Sequence, residues 1–576
     1  MRTRLVCLED GITSCGFRKI AAYVSQLVPD TESCYISTNQ YRSVRNAVLG
    51  TLGGKGELGD DQVDEIAHGL AGVDLVGFSS MTGYADLTRK VITRLRQIDP
   101  DTFILWGGIH PIIHPEDAIL ADVDAICTGE GEFAFEEFAG LWREGRDYTG
   151  VENFWFKKGE KVIRNGFRPL MSQEEMEHLP FPQYGTDRER IYREGQGFVP
   201  MKLHDYLAND GLGYSTLWSI GCPFHCSFCG NTKFIANDPL YKKIRHPSAS
   251  YMVEEIKAVR KRFPHVSQVS FHDDSFMAIT YKELERFAEL WKEELGGLPF
   301  AVYGVIPNYV KQDKFEILTW AGMNRVRMGI QSGSQAILDF YKRPTPPERI
   351  LQAGRIIAPF APKYHIPAAY DIIMDNPVET RQDVIDTLEL LYQMPRPYTL
   401  FIYSLKVIPN TDLEQAMKDR GIDLDAISAN YATIPARAAN LILYVLALCR
   451  PPRWLFDRAL RRVQGSATPQ KEYPKLGLVL RSLYQGKRVF DHLRFMDFSI
   501  IPGWSGYIAW RIGLVSLWRR RFKQRPPRPE PKKRGRASIP VTVTEGSSPV
   551  TIMPSAVPAA PAPPAPPAEP AVQETG

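Results

Sequence analysis

Cysteine is scarce in this chain: eight in 576 residues. So few, three of them bunched together, do not make a disulfide framework, and a reducing, cytoplasmic setting is expected. Long apolar runs are also missing. No stretch reaches the roughly 18 uncharged apolar residues that a membrane-spanning helix requires. Met1 to Ile20 holds acids and no apolar core, unlike a signal peptide. The body of the chain lacks a charge of one sign. The net charge of +4 comes from Arg519 to Arg536, where ten Lys/Arg and one Glu sum to +9, leaving 4 − 9 = −5 elsewhere. That basic character belongs to one segment, so no nucleic-acid partner is expected. With 44% apolar and 24% charged residues the composition is that of a globular protein, and the length allows three or four domains.

What is present is a loop of three cysteines, Cys222, Cys226 and Cys229, spaced C-x3-C-x2-C directly after the apolar run Leu217 to Ile220. Three thiolates on one tight loop suit an iron–sulfur cluster. Zinc would require a fourth Cys or His at short spacing, for which His225 inside the loop is the candidate. With the aromatic Phe228 before the last cysteine, the triplet resembles the signature of the radical S-adenosylmethionine (radical SAM) enzymes. The resemblance implies that Cys222, Cys226 and Cys229 hold a 4Fe–4S cluster whose fourth iron binds the amino and carboxylate groups of SAM. One electron, from a reductant such as flavodoxin or ferredoxin, then splits SAM into methionine and a 5′-deoxyadenosyl radical.

Over residues 1–145, short apolar runs at Leu5–Leu8, Glu32–Ile36, Val73–Phe78, Phe103–Trp106 and Ala125–Cys127 alternate with helical patterns at Arg18–Leu27, Leu87–Gln97 and Glu132–Trp142. This predicts an α/β, doubly wound, Rossmann-like domain. Ligands of such sheets bind beyond the carboxyl ends of the strands. Those ends carry Ser79, Ser80, Met81, Thr82 and Gly83, then Gly107, Gly108 and His110, then Gly129 and Glu130. Small residues there let a bulky flat ligand approach the backbone. The run from Gly107 to Glu132 resembles the cobalamin-binding domain that precedes the barrel in one class of radical SAM enzymes, and the likeness extends from Val73 to Phe138. It implies cobalamin, with Ser79, Ser80, Thr82, Gly107, Gly108, His110, Gly129 and Glu130 as its contacts. Domains that supply a lower axial histidine carry D-x-H-x-x-G after the first strand. Here Asp10 to Cys15 holds no histidine and none precedes His68, so the lower cobalt face is expected to lack one. His110 and His114 read as pocket lining.

Residues 146–205 read as a connector, with a hairpin of Asn153–Phe156 and Lys161–Arg164 and a Pro-rich linker at Leu179–Tyr184. Strand–helix alternation resumes over 206–410. Six strands are expected, at Thr216–Ile220, Gln268–His272, Phe300–Ile306, Arg325–Gln331, Ala368–Met374 and Leu400–Leu405, with Ser250 and Thr380 as helix N-caps. They make a partial (β/α)6, TIM-like barrel with its site at the strand C-terminal ends. By the family resemblance Asp273 or Asp274 meets the SAM amino group, though either could instead cap the turn. Gln331 and Ser332, in Gly329 to Gly333, stand at the ribose, with Gln331 where the family often has Glu. Asp371 to Thr380 resembles the adenine-packing segment, with Asn376 where glycine is frequent. Lys342 and Arg343 read as a solvated helix end, or as a contact of the SAM carboxylate.

Residues 411–525 read as a helical, aromatic-rich region. Trp504, Tyr507, Trp510 and Trp518 beside Arg519 to Arg521 suit a helix in a membrane interface, or a cap over the substrate cleft. Residues 526–576, basic and then Pro/Ala-rich, are expected to be disordered. The expected function is a cobalamin-dependent radical SAM C-methyltransferase acting on an unactivated carbon of a hydrophobic small molecule (lipid, isoprenoid or natural product). Cyclisation or carbon–carbon coupling without methyl transfer is the alternative, and a non-catalytic cobalamin or redox sensor a third.

Overall fold

The computed structural model describes residues 1–38, 58–361, 363–424, 427, 434–495, 497, 503–521 and 525–529. Among them are fifteen strands in two sheets. The first sheet has nine: β1 Thr3–Glu9, β2 Thr31–Ser37, β3 Leu75–Ser79, β4 Phe103–Gly107, β5 Ala125–Cys127, β6 Phe154–Lys158, β7 Lys161–Arg164, β8 Glu189–Arg193 and β9 Gly197–Pro200, in the order β7-β6-β5-β4-β3-β1-β2-β8-β9. Its five central strands are parallel and apolar on both faces, as a sheet covered on both sides requires. In β1, Leu5 and Cys7 pack with Phe17, Val24 and Phe138 of helices Cys15–Leu27 and Glu132–Arg143. Val6 and Leu8 pack on the other face with Ile66 and Ile92 of helices Asp60–Leu70 and Ala85–Ile98.

The segment expected as a connector is built into this sheet. Its hairpin is β6 and β7, antiparallel at one edge, while β8 and β9 extend the other. A pattern reading misses such strands because their sheet partners are distant in sequence.

The second sheet holds β10 Gly213–Thr216, β11 Gln268–Phe271, β12 Phe300–Val305, β13 Met323–Gln331, β14 Ala368–Met374 and β15 Tyr398–Ser404, all parallel and in sequence order. The first of these ends at Thr216, so Leu217 to Ile220 is not strand as expected; only Ile220 makes an isolated bridge, to Arg245. Thr380 caps its helix through Asp383 N, whereas the cap of Ala249–Arg262 is Ser248, not Ser250. Helix Pro474–Arg494 covers the free edge of β15, where the Tyr484 hydroxyl accepts from Leu400 N at 2.8 Å. At the opposite edge, Tyr507, Trp510 and Trp518 pack on Leu207 and Leu212.

Asp497, Arg519 and Arg525 reach the barrel at its strand N-terminal ends. Arg519 donates to Ser267 O and Arg525 to Met323 O, and Asp497 meets Arg325 at 3.2 Å. The aromatic C-terminal region therefore caps the floor of the barrel, not the mouth where a cleft-covering helix was expected. Arg528, assigned to the tail, pairs with Glu289; the expected disorder of 530–576 lies outside the described residues. No helix among the described residues is long and apolar enough to cross a membrane.

Candidate active site

The cysteine loop is pinned from every side. Buried Asp273 accepts from Trp218 N at 3.0 Å and from both Ser219 N and Ser219 Oγ at 2.6 Å. Both carboxylate oxygens thus hold the approach to the loop. Gly221 follows at φ +110°, and a Cβ there would lie 2.4 Å from Lys243 O; only glycine passes that point. Further on, Ser227 N donates to Tyr341 O at 2.9 Å, and Phe228 meets the edge of the Tyr341 ring at 5.1 Å.

Cys222 and Cys226 are buried and Cys229 half-buried. Burial pushes the Cys222 thiol up to about 11 and Cys229 to about 12. It raises Cys226 too, against the pull of Arg343, whose Nη1 donates to Cys226 Sγ at 3.6 Å. That guanidinium is buried, not a solvated helix end as expected, and it also donates to Gly329 O at 2.6 Å. Three soft donors beside one cation fit an anionic thiolate-bound cluster. His225, the candidate fourth zinc ligand, faces Asp412 at 3.7 Å. Among the described residues no three His, Cys, Asp or Glu side chains form a single-ion site.

The other residues assigned to SAM divide. Asp274, after β11, is exposed, with the Tyr241 hydroxyl at 3.4 Å, and desolvation of its carboxyl raises its pKa. Gln331 stands at the end of β13 at φ +73°, a conformation non-glycine residues adopt only under constraint. Ser332 is fully buried; it bonds Thr387 Oγ1 at 3.1 Å and accepts from Ser334 N, so it shapes the turn. Asn376 is equally enclosed, donating to the Tyr341 hydroxyl at 3.0 Å.

In the first sheet the strand order reverses at β1, which makes the β1/β3 crevice the topological switch point. Several residues expected to touch a cofactor there are used by the chain itself. Gly108 lies at φ +90°, and a Cβ would come within 2.8 Å of Ser80 N. Ser80 is buried and its Oγ accepts from Trp106 Nε1 at 3.0 Å. A Cβ on Gly129 would strike the Asn153 side chain at 2.5 Å. Glu130 accepts from Arg245 at 2.7 Å and from Met171 N at 2.8 Å, tying this sheet to the barrel.

His110 Nε2 bonds Asp117 at 2.9 Å, while its buried Nδ1 and the Thr82 Oγ1 have no partner among the described residues. Orphaned polar atoms beside Ser79 and Gly107, at the strand ends, fit a polar ligand laid across this face. Glu9, at the end of β1, was missed by the sequence reading. Burial pushes its carboxyl up to about 7, with Ser14 Oγ donating at 3.2 Å; the one available signal was its place at a strand end.

The two ligand faces meet. Helix Ile109–Ile113, which follows β4, packs on helix Asn231–Asn237, which follows the cysteine loop. A Cβ at Gly230, next to Cys229, would lie 2.8 Å from Ile113 Cδ1, and Asn410 Nδ2 donates to Ile113 O at 2.9 Å. Lys406 Nζ lies 4.0 Å from the place of a Cβ at Gly83.

Residues 217–391 match the family model of the radical SAM superfamily, and residues 50–139 that of the B12 binding domain. The chain thus carries a B12-binding domain followed by a radical SAM domain. The two domain types imply a 4Fe–4S cluster and SAM for the barrel and cobalamin for the first sheet. Among similar curated proteins are an uncharacterized methyltransferase of Pyrococcus horikoshii (25% identical, 57% of this chain and 66% of the relative) and the cytidylyl-2-hydroxyethylphosphonate methyltransferase of Streptomyces wedmorensis (25%, 51% and 56%). A third is the anaerobic magnesium-protoporphyrin IX monomethyl ester cyclase of Rubrivivax gelatinosus (24%, 66% and 64%). The chain spans less than two thirds of the length of each. Similar solved structures include the radical SAM methyltransferase TsrM of Kitasatospora setae with cobalamin and a 4Fe–4S cluster (TM-score 0.55, 16% identity, 73% of this chain and 78% of that one). Another is the cobalamin-dependent enzyme OxsB (0.53, 13%, 90% and 75%).

Proposed function

We propose that this chain is a cobalamin-dependent radical SAM C-methyltransferase in which Cys222, Cys226 and Cys229 ligate the cluster. The observation that carries the reading is the contact of the two ligand faces at Ile113, Gly230 and Asn410. When bound, the cluster with SAM supplies a carbon-centred radical able to take hydrogen from an unactivated carbon, and cobalamin supplies a methyl donor. The chain's own part is geometric. The bonds from Asp273 and Tyr341 fix the cysteine loop, and Arg343 offsets thiolate charge beside Cys226. Asp274 and Gln331 are the side chains we assign to SAM, and Ser79, Thr82 and Gly107 those we assign to cobalamin. A radical of that kind requires that solvent be kept from the space between the faces. Two of the similar curated proteins are methyltransferases by name and one is a cyclase, so ring formation is the competing outcome.

Anaerobic reconstitution with SAM, cobalamin, a flavodoxin-type reductant and extracts containing candidate substrates tests this. We expect 5′-deoxyadenosine and S-adenosylhomocysteine together, and Cys229→Ser to abolish both with loss of bound iron. Deoxyadenosine without S-adenosylhomocysteine would support the cyclase outcome; neither product, with iron retained in Cys229→Ser, would defeat the proposal.

The outward residues Trp504, Ile508, Ile512, Leu514 and Leu517 are exposed and apolar, and the basic stretch that follows them in sequence carries ten Lys/Arg and one Glu. We assign this face to the surface of an anionic membrane. Co-sedimentation with phosphatidylglycerol vesicles, lost in Trp504→Ser/Ile508→Ser, is expected; equal recovery with and without vesicles would refute it.

A further inference from the structure

The interior of the barrel is not packed like that of a closed barrel, where branched aliphatic side chains fill the space. Along β13 and β14 the outward residues Val326, Met328 and Ile372 are buried under helices, as the two-residue period requires. The inward row is Arg325, Arg327, Asp371, Phe401 and Tyr403, with Asp371 opposite Phe401 in the register. Arg327 Nε donates to both oxygens of Asp371, at 2.8 and 3.0 Å, and its Nη2 to the Tyr403 hydroxyl at 2.5 Å. Arg325 faces Asp497.

A third guanidinium has no such partner. Arg488 reaches the lumen from helix Pro474–Arg494, past the free edge of β15. Its guanidinium carbon lies 4.4 Å from the centre of the Phe401 ring, on which Arg327 also stacks at 4.5 Å. Its hydrogen bond is to Gln485 Oε1 at 3.2 Å, and no carboxylate pairs with it among the described residues. Among the described residues, Arg325 and Arg327 each face a carboxylate and Arg488 does not. Burial, with Arg325 and Arg327 adding to it, holds the Arg488 guanidinium below its ordinary range, opposed by Tyr484 and Tyr403. Nearby rings screen it from water without neutralising it. Such a group is matched by an anion, which a planar guanidinium binds through two hydrogen bonds.

SAM's own carboxylate does not account for the site. Arg343 is the guanidinium at the cysteine loop, 3.6 Å from Cys226. Arg327 lies four residues before Gln331, about 13 Å back along the strand.

We infer that the barrel lumen binds an anionic group of the substrate, a carboxylate or a phosphate, on Arg488 with Arg327 beside it. The inference rests on the proposed function only in taking the lumen as the substrate site. It replaces a wholly hydrophobic substrate with one that has an apolar body against Phe401 and Tyr403 and a charged end.

The test uses the anaerobically reconstituted full chain with saturating SAM and no reductant. Phenylphosphate, phenylacetate and neutral benzyl alcohol are titrated at fixed ionic strength while the thermal midpoint is followed. We expect at least one anion to raise the midpoint and benzyl alcohol not to. Arg488→Met should weaken the anion at least about tenfold, with iron, sulfide and cobalamin contents unchanged, and Arg488→Lys should lose less. Preference for phenylphosphate over phenylacetate would identify a phosphate, the reverse a carboxylate. Equal shifts by anion and alcohol, no shift with either anion, or wild-type affinity in Arg488→Met would overturn the inference. Should Arg488→Met fail to fold, the wild-type comparison decides alone. A wild-type protein that takes up neither iron nor cobalamin would instead overturn the cofactor reading, a result scored separately from anion binding.

Discussion

The two sheets are both parallel, yet they offer ligands different things. In the first, β1 is apolar on both faces and helices cover each side, so a ligand has only the strand ends. Even there the chain fills much of the room itself, through Gly108 against Ser80 and Gly129 against Asn153. In the second, one face is apolar and the other carries Arg327, Asp371 and Tyr403, so the interior is available as well as the rim. The first sheet is built to present an edge and the second to enclose a molecule. Period decides it: apolar residues at every position make a filled wall, and apolar residues at every second position make a lined chamber.

The sharpest way to break the comparison is to damage each rim separately. Gly221→Ala and Gly108→Ala both force a side chain into left-handed backbone against neighbouring main chain, at 2.4 Å and 2.8 Å. Each should cost about 3 kcal/mol. Gly221→Ala is expected to lose bound iron while keeping cobalamin, and Gly108→Ala the reverse, read from the iron assay and the cobalamin absorption bands. Loss of both cofactors from either variant would mean that the two rims are one cooperative unit.

A smaller effect separates the rims by pH. Each holds a carboxyl raised by burial: Glu9 to about 7 in the first sheet, and Glu379 to about 8 beside the barrel, where Ser466 Oγ donates to it at 2.9 Å. The native state holds these protons more tightly than the unfolded chain, so their stabilisation is complete below about pH 4.5. It falls as pH rises, vanishing above about pH 7 for Glu9 and about pH 8 for Glu379. Thermal melts across pH 5 to 9 should show Glu379→Gln flattening the decline by about 2 kcal/mol, and Glu9→Gln by less, with its effect ending a pH unit sooner. A decline unchanged in both variants would place the titrating groups elsewhere.

Much of the fold was legible because strands and helices declare themselves by local period. Five of the six barrel strands lie within two residues of where the apolar runs put them. The exception, Leu217 to Ile220, is apolar for a different reason: Trp218 is buried and donates to Pro247 O, an anchor rather than a strand. The site was less legible. Asp273, Ser332 and Glu130 have the right chemistry at the right strand ends, yet each is bonded to partners that no local pattern reveals, Ser219, Thr387 and Arg245. Arg343 and Arg488 were hidden for the opposite reason. On a helix or after one, a lone arginine looks solvated, and only packing turns it inward.

By itself the sequence determined the cysteine triplet and the alternation that builds two parallel sheets, because ligand spacing and side-chain period are local properties. Tertiary structure decided that the two strand-end faces meet at Ile113, that Arg519 and Arg525 lie at the floor rather than the mouth, and that Arg488 stacks on Phe401 beside Arg327. Those facts depend on which distant residues share a space, and burial in that space sets what each charge is worth.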